Sequence, residues 1–166
     1  MAVRPPLRVA YTREPGGTAL AAIYGLENMS RAVIAPVIAL AGIELLQTAQ
    51  SLSVALFLAS LASLVLILSS GFLIRRMSRK VVFTIACALA LISVYYFTLD
   101  EPWAFVVANA MRSSGAGLIL ICVSLYTMDF IPNRELAKVE SRKILFAAST
   151  WIVSPAIGTW LWVNVS

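Results

Sequence analysis

The chain alternates long apolar runs with short polar segments. Each run is long enough for a tilted helix to cross a hydrocarbon layer about 30 Å thick. None shows the strict alternation of apolar and polar residues that a membrane strand requires. The pattern predicts an all-α, polytopic membrane helix bundle with five spans. They lie at about residues 19–43, 51–74, 81–99, 103–130 and 144–163.

Composition supports a membrane protein. Of the 166 residues, 60% are hydrophobic and only 13% are charged, more apolar surface than a soluble domain can bury. Cys87 and Cys122 lie in the middle of apolar runs, and we expect them to be packing residues without a disulfide. The chain has no histidine, and we expect neither a metal site nor a cofactor.

The basic residues indicate how the chain is oriented. Three lie in the tail at residues 1–18, four in the loop after the second span and four in the loop after the fourth, making eleven of thirteen. The remaining loops carry only acidic charge. The positive-inside rule then places the tail in the cytoplasm and residues 164–166 outside, in a multi-pass protein of the cell inner membrane. This topology accounts for the net charge of +5 without a nucleic-acid partner.

The second span has small residues at helical spacing. Ala55, Ala59 and Ser63 follow one another at steps of four. Small residues at this spacing let helix backbones approach closely inside a membrane. We expect a packing face here, although alanine and serine are common in such helices for other reasons.

The first span is long enough to cross the membrane only if it includes a cluster of polar residues. The apolar part alone, residues 32–43, rises about 18 Å, which is too short to cross. Glu27 and Arg31 are four residues apart and can pair on one helix face. Tyr24, Asn28 and Arg31 extend this face into a polar stripe, which we expect to turn away from lipid. Pro36, farther along, can kink the helix.

Arg112 lies deep in the fourth span among small residues. Ionisable residues within spans are costly and are often functional. The functional interpretation is a pathway in which Arg112, Glu27 and Arg31 hold an anionic group or pass a proton through Glu27. The structural alternative is a Glu–Arg pair that fixes helix register, with Arg112 reaching toward the interface. The residues alone leave both open.

The loop after the second span, GFLIRRMSRK, resembles the signature loop of the major facilitator superfamily of secondary transporters. That pattern is glycine, three residues, aspartate, arginine, one residue, glycine and two basic residues. Arg75 stands where the aspartate is usual and Ser78 where the second glycine is usual. We expect a glycine-led tight turn that acts as a conformational or gating loop near anionic lipid. The matching residues are Gly71, Arg76, Arg79 and Lys80.

Two further segments resemble motifs of that family in the same order. Arg112 to Gly117 looks like the arginine-and-glycine motif of the fourth helix, where the arginine is linked to proton coupling. Residues 154–158 look like the proline–glycine part of the fifth-helix motif, which implies a helix bend at Pro155 and Gly158. Residues 126–143 are then interpreted as the cytoplasmic loop between these helices.

The resemblance covers essentially the whole chain. The family has twelve helices in two halves built from inverted repeats, with substrate between the halves. The chain would then supply helices one to five as an incomplete N-terminal part. The implied partners are the lipid bilayer, a small-molecule substrate, and a missing C-terminal half or a partner membrane chain.

The predicted function is secondary active transport of a small molecule across the inner membrane, coupled to an ion or a proton. The alternative is a non-transporting scaffold or assembly subunit with a half-transporter fold. An intramembrane enzyme lacks support, because HExxH and GxSxG motifs and paired aspartates are absent. No P-loop for ATP is present either.

Overall fold

A computed structural model describes residues 16–165, and its regular elements are all helices. The prediction of an all-α bundle with five spans is confirmed, since five helical stretches are long and apolar enough to cross a membrane. Two helices, α2 and α3, together form the second stretch. The helices are α1 (Gly17–Leu46), α2 (Ala49–Leu68), α3 (Ser70–Arg76), α4 (Arg79–Phe97), α5 (Pro102–Phe130) and α6 (Asn133–Val165).

The helices extend beyond the apolar runs from which the spans were predicted. The predicted tail at residues 1–18 falls mostly outside the described residues, and α1 already begins at Gly17. The segment 164–166, predicted as an outer end, is still helical at Val165. Hydrogen bonding inside a helix favours its continuation past the hydrocarbon layer. The ends of an apolar run therefore indicate the membrane boundary, and they do not indicate where the helix ends.

Helix starts follow from local side-chain chemistry. The hydroxyl of Thr48 accepts from Ser51 N at 3.2 Å at the start of α2. Ser78 Oγ accepts from Val81 N at 3.4 Å and caps α4 in the same way. Pro102 occupies the first position of α5, where its missing N–H is not needed.

The glycine-led turn predicted at residues 71–80 is wrong. Gly71 and Arg76 belong to α3, while Arg79 and Lys80 begin α4. The connection consists of two residues, Met77 and Ser78, both with extended backbone. No glycine of the described chain has a positive φ, so the turn does not need the special conformational freedom of glycine.

The long loop predicted at residues 126–143 is also wrong. Helix α5 continues to Phe130, and α6 begins at Asn133. The break falls at Ile131 and Pro132, because the residue before a proline disfavours helical backbone. The charged residues that suggested a loop instead form the first three turns of α6.

The interior is built from small side chains. Helix α1 packs mainly on α6, while α5 packs on α4 and α2. Ala55, Ala59 and Ser63 are buried, which confirms the packing face predicted for the second span. Large apolar residues such as Leu91 and Ile152 are exposed by 73% and 79%, as expected for surface that faces lipid.

The charged residues gather at one end of the bundle. There, Arg79 at the start of α4 pairs with Asp129 near the end of α5. Arg142 of α6 donates to Thr18 Oγ1 at the start of α1, at 3.0 Å. At the opposite end, Phe105 belongs to an apolar cluster that joins α1, α2 and α5.

Glycines mark the closest helix approaches. A Cβ at Gly158 of α6 would overlap Val33 O of α1 and would lie 3.3 Å from Pro36 Cγ. A Cβ at Gly115 of α5 would lie 2.7 Å from Ala86 O of α4. Backbone thus contacts backbone at both crossings, where a side chain would separate the helices.

Candidate functional site

Glu27 and Arg31 form an ion pair on α1. Arg31 Nη1 lies 3.5 Å from Glu27 Oε1, as the four-residue spacing predicts. The side chain of Glu27 is only 9% exposed, and that of Arg31 is 34% exposed. Charge-assisted hydrogen bonds are usually about 2.7–2.9 Å long, so this contact is a loose one.

Arg112 brings a second cation toward this pair from α5. It lies within electrostatic range of both Glu27 and Arg31 but forms no ion pair with Glu27. Arg112 Nε and Glu27 Oε2 are buried and have no hydrogen-bond partner within the described residues. Glu27 and Arg112 therefore lie in a poorly solvated region beside the more exposed Arg31, and the hydrogen bonding of these two buried groups is incomplete.

Tyr24 and Asn28 contact a different helix. Asn28 is 6% exposed, and its Nδ2 donates to Tyr24 O at 2.9 Å. Trp151 of α6 donates its indole N–H to Asn28 Oδ1 at 3.4 Å. Lys143 Nζ, also from α6, lies 5.7 Å from the centre of the Tyr24 ring.

The stripe predicted along α1 therefore divides into two groups. Glu27 and Arg31 associate with Arg112 of α5, whereas Tyr24 and Asn28 pack on α6. Adjacent residues on a helix point about 100° apart, so a cluster within five residues can serve two interfaces. The structure brings together Glu27, Arg31 and Arg112, which we call the charge cluster.

Two polar residues near these groups were not predicted from the sequence. Asn109 is 3% exposed and lies three residues before Arg112 on α5, with Nδ2 3.4 Å from Phe105 O. An amide three residues from a buried arginine shares its helix face, and this spacing was the available signal. No sequence spacing could identify Trp151, because it meets Asn28 only through tertiary packing.

The predicted gating residues lie at the charged end of the bundle, and none of them belongs to the charge cluster. Arg79 pairs with Asp129, and these side chains are 36% and 48% exposed. Arg76 lies over the ring of Phe72, 4.7 Å from its centre. Gly71 has open space around it and Lys80 is exposed. No pattern in the sequence predicted that Asp129 would meet Arg79.

The predicted bend residues lie where α6 crosses α1. Both Pro155 and Pro36 occur inside their helices, which continue through them. Each proline removes one intrahelical hydrogen bond. Gly158 contacts α1 directly at Val33, so the two proline-containing segments lie against each other.

Neither metal chemistry nor thiol chemistry is indicated for residues 16–165. These residues contain no group of three or more carboxylate, thiol or imidazole side chains suited to a metal ion. Cys87 and Cys122 are free thiols, and Cys122 is fully buried in the contact between α4 and α5. Their placement agrees with the predicted packing role.

A shallow groove of about 540 Å³ lies between the starts of α2 and α5. Its wall includes Ser51, Val54 and Trp103, and none of the predicted site residues. It opens at the end of the bundle opposite the basic segments. We therefore place the candidate site at the charge cluster, where buried ionisable groups supply the chemistry, and not at the groove.

Comparison with known proteins identifies the family. Neither the curated proteins nor the solved structures that were compared gave a match. A family model described as Major Facilitator Superfamily matches residues 20–166, nearly the full length of the chain and all five membrane helices. The chain therefore belongs to the major facilitator superfamily, a family of secondary transporters.

Proposed function

We propose that the chain forms part of a secondary active transporter that moves a small molecule across the inner membrane, coupled to an ion or a proton. Its pathway passes the charge cluster of Glu27, Arg31 and Arg112. The supporting observation is that Glu27 Oε2 and Arg112 Nε are buried without a hydrogen-bond partner among the described residues, beside the half-buried Arg31. Family membership supports transport in general but leaves the substrate open.

The geometry favours a pathway over a purely structural ion pair. A charge at the bilayer centre costs about 2.5–3.5 kcal/mol on insertion scales, so a structural pair should satisfy its charges fully. Here the ion-pair distance is 3.5 Å, and Glu27 Oε2 and Arg112 Nε have no partner among the described residues. Incomplete pairing suits groups that exchange partners during transport.

The cluster carries one more positive charge than negative when all three groups are ionised. Such a cluster can hold an anionic group of a substrate, and its carboxylate can pass a proton. Tyr24 and Asn28 border the same segment of α1 and contribute through its packing on α6. The proposal therefore includes both the binding of an anionic group and proton transfer through Glu27.

The charged end of the bundle is proposed to lie in the cytoplasm, with the N-terminus. The basic segments before α4 and at the start of α6 both lie at that end, which supports this orientation by the positive-inside rule. The gating residues Gly71, Arg76, Arg79 and Lys80 are proposed to change arrangement there. Breaking the half-exposed Arg79–Asp129 pair costs little free energy, because such pairs contribute about 0–1 kcal/mol to stability.

We also propose that a second helix bundle, from further sequence or from a partner chain, completes the pathway opposite the charge cluster. Alternating access would then rock one bundle against the other. The crossing of α1 and α6 at Gly158 and Pro155 would move as a unit, because its backbones are in direct contact.

The protein is extracted from its own membrane together with any further sequence or partner chain, and vesicles reconstituted with this assembly test the proposal. A panel of organic anions, cations and neutral compounds would first be screened for thermal stabilisation of the purified protein. Uptake of each stabilising compound would then be measured with and without a pH gradient. The matched variants are Arg112→Ala, inside the cluster, and Arg75→Ala, which removes an exposed cation from α3.

We expect Arg112→Ala to lower uptake by about tenfold or more, as loss of one positioned charge can do, and Arg75→Ala to retain it. Unchanged uptake in Arg112→Ala at equal protein would remove Arg112 from the pathway. If the wild-type protein transports no compound above protein-free vesicles, the transport proposal fails and a scaffold or assembly role takes its place.

A further inference from the structure

The first three turns of α6 carry a stripe of solvent-exposed cations. Arg134, Lys138 and Arg142 are exposed and lie four residues apart, so consecutive members are about 6 Å apart along the helix axis. On the opposite face, Val139 and Lys143 are 5% and 2% exposed where α6 packs on the bundle. We call the three exposed cations the basic stripe.

Acidic residues do not neutralise the basic stripe. Glu135 lies in the same helix turns but forms no ion pair with the stripe, and Glu140 Oε1 is bound by a buried lysine of the opposite face at 2.8 Å. Arg142 uses one nitrogen to reach Thr18 Oγ1. The other two cations have no partner within the described part of the chain. The stripe therefore retains a concentrated positive charge.

The same helix face becomes apolar one turn farther on. Leu145 lies three residues after Arg142, and Ile152 lies seven residues after Leu145, so both continue the line of the stripe. They are 70% and 79% exposed. We call Leu145 and Ile152 the apolar stripe. One exposed face of α6 thus carries cations that suit a lipid headgroup, followed by apolar side chains that suit an acyl chain.

We propose that this face of α6 binds an anionic phospholipid. The phosphate lies between members of the basic stripe, and an acyl chain lies along the apolar stripe. The 6 Å spacing lets two cations contact one phosphate from neighbouring turns. The order of charge and hydrocarbon along α6 matches the order within a lipid molecule. A second helix bundle docked on this face would instead need acidic groups of its own to pair with the three cations.

Native mass spectrometry of the full chain in detergent tests the site. The protein is titrated with phosphatidylglycerol or with phosphatidylcholine of identical acyl chains. Lys138→Gln removes one cation from the basic stripe. Arg75→Gln removes one exposed cation from α3 at the same end of the bundle, so the variants have equal net charge.

The wild-type protein should retain phosphatidylglycerol in preference to phosphatidylcholine. The stripe variant should lose about fivefold in affinity for phosphatidylglycerol, because each cation near an anionic headgroup contributes about that much. The α3 variant should stay within about twofold of wild type. Circular dichroism and a monodisperse elution profile verify that all proteins are folded.

Three results would overturn the inference. The first is equal retention of the two lipids by the wild-type protein. The second is an equal loss in both variants, which would indicate diffuse attraction at the charged end. The third is displacement of the lipid by an equal concentration of sn-glycerol 3-phosphate, which would show that the apolar stripe contributes nothing.

Discussion

The crossing of α6 over α1 at Gly158 should not tolerate even one added methyl group. In Gly158→Ala the new Cβ would overlap Val33 O, lie 2.9 Å from Val33 C and approach Pro36 Cγ to 3.3 Å. The first two atoms are backbone, so no rotamer change of a side chain relieves the overlap. The helices must separate, and the packing of α1 on α6 must loosen along its length.

The magnitude follows from two opposing effects. Overpacking costs about 1–3 kcal/mol, and a clash with backbone belongs at the upper end, near 3 kcal/mol. Alanine gains about 1 kcal/mol over glycine in helix propensity. Gly158→Ala should therefore lower the free energy of unfolding by about 2 kcal/mol. Gly71→Ala is the matched control, because Gly71 is helical and has nothing within 4 Å of an added Cβ.

Unfolding by sodium dodecyl sulfate in mixed micelles, followed by circular dichroism, measures this difference. The two variants should differ by about 3 kcal/mol, which corresponds to more than a hundredfold in the folding equilibrium. Equal free energies of unfolding for Gly158→Ala and Gly71→Ala would refute the close crossing and, with it, the proposed movement of this crossing as a unit.

Three other contacts give smaller effects, each measured by the same unfolding titration. Trp151→Phe removes the donor to Asn28 and should lower the free energy of unfolding by about 0.5–1.5 kcal/mol; no change would show that the hydrogen bond does not form. A double-mutant cycle on Arg79 and Asp129 should give a coupling below about 1 kcal/mol, and a larger value would contradict an easily opened gate. Lys143→Met keeps the buried volume and should cost less than about 1.5 kcal/mol, because the carboxylate it leaves is half exposed; a greater loss would assign Lys143 a structural role that its contacts do not show.

The sequence predicted the membrane helices well because apolar runs report directly on the lipid environment. It predicted the connections poorly. Residues 126–143 contain many charges, which suggested a loop, yet a charged segment outside the hydrocarbon can remain helical. Gly71 was assigned to a turn by resemblance to a motif, while the backbone turns at Met77 and Ser78.

The charge cluster was partly predictable. The Glu27–Arg31 pair follows from a spacing of four, which fixes a shared helix face. Sequence separation gives no distance between helices, so the approach of Arg112 was only a hypothesis. The division of Asn28 from Arg31 depended on where α6 packs, which no local pattern records.

In the proposed transporter, the charge cluster faces a water-filled pathway and not lipid. Single cysteines test this in a background without Cys87 and Cys122. The two positions compared are Arg31→Cys and Met29→Cys on α1. Arg31 belongs to the cluster. Met29 lies two residues away, on nearly the opposite face of the helix, and is an exposed apolar residue outside the cluster.

The measurement is the labelling rate of each cysteine in membrane vesicles with an anionic, membrane-impermeant methanethiosulfonate. Only a hydrated thiol ionises and reacts quickly, so labelling should be at least about tenfold faster at position 31 than at position 29. Equally slow labelling at both positions, in protein that labels fully after denaturation, would contradict a pathway at the charge cluster.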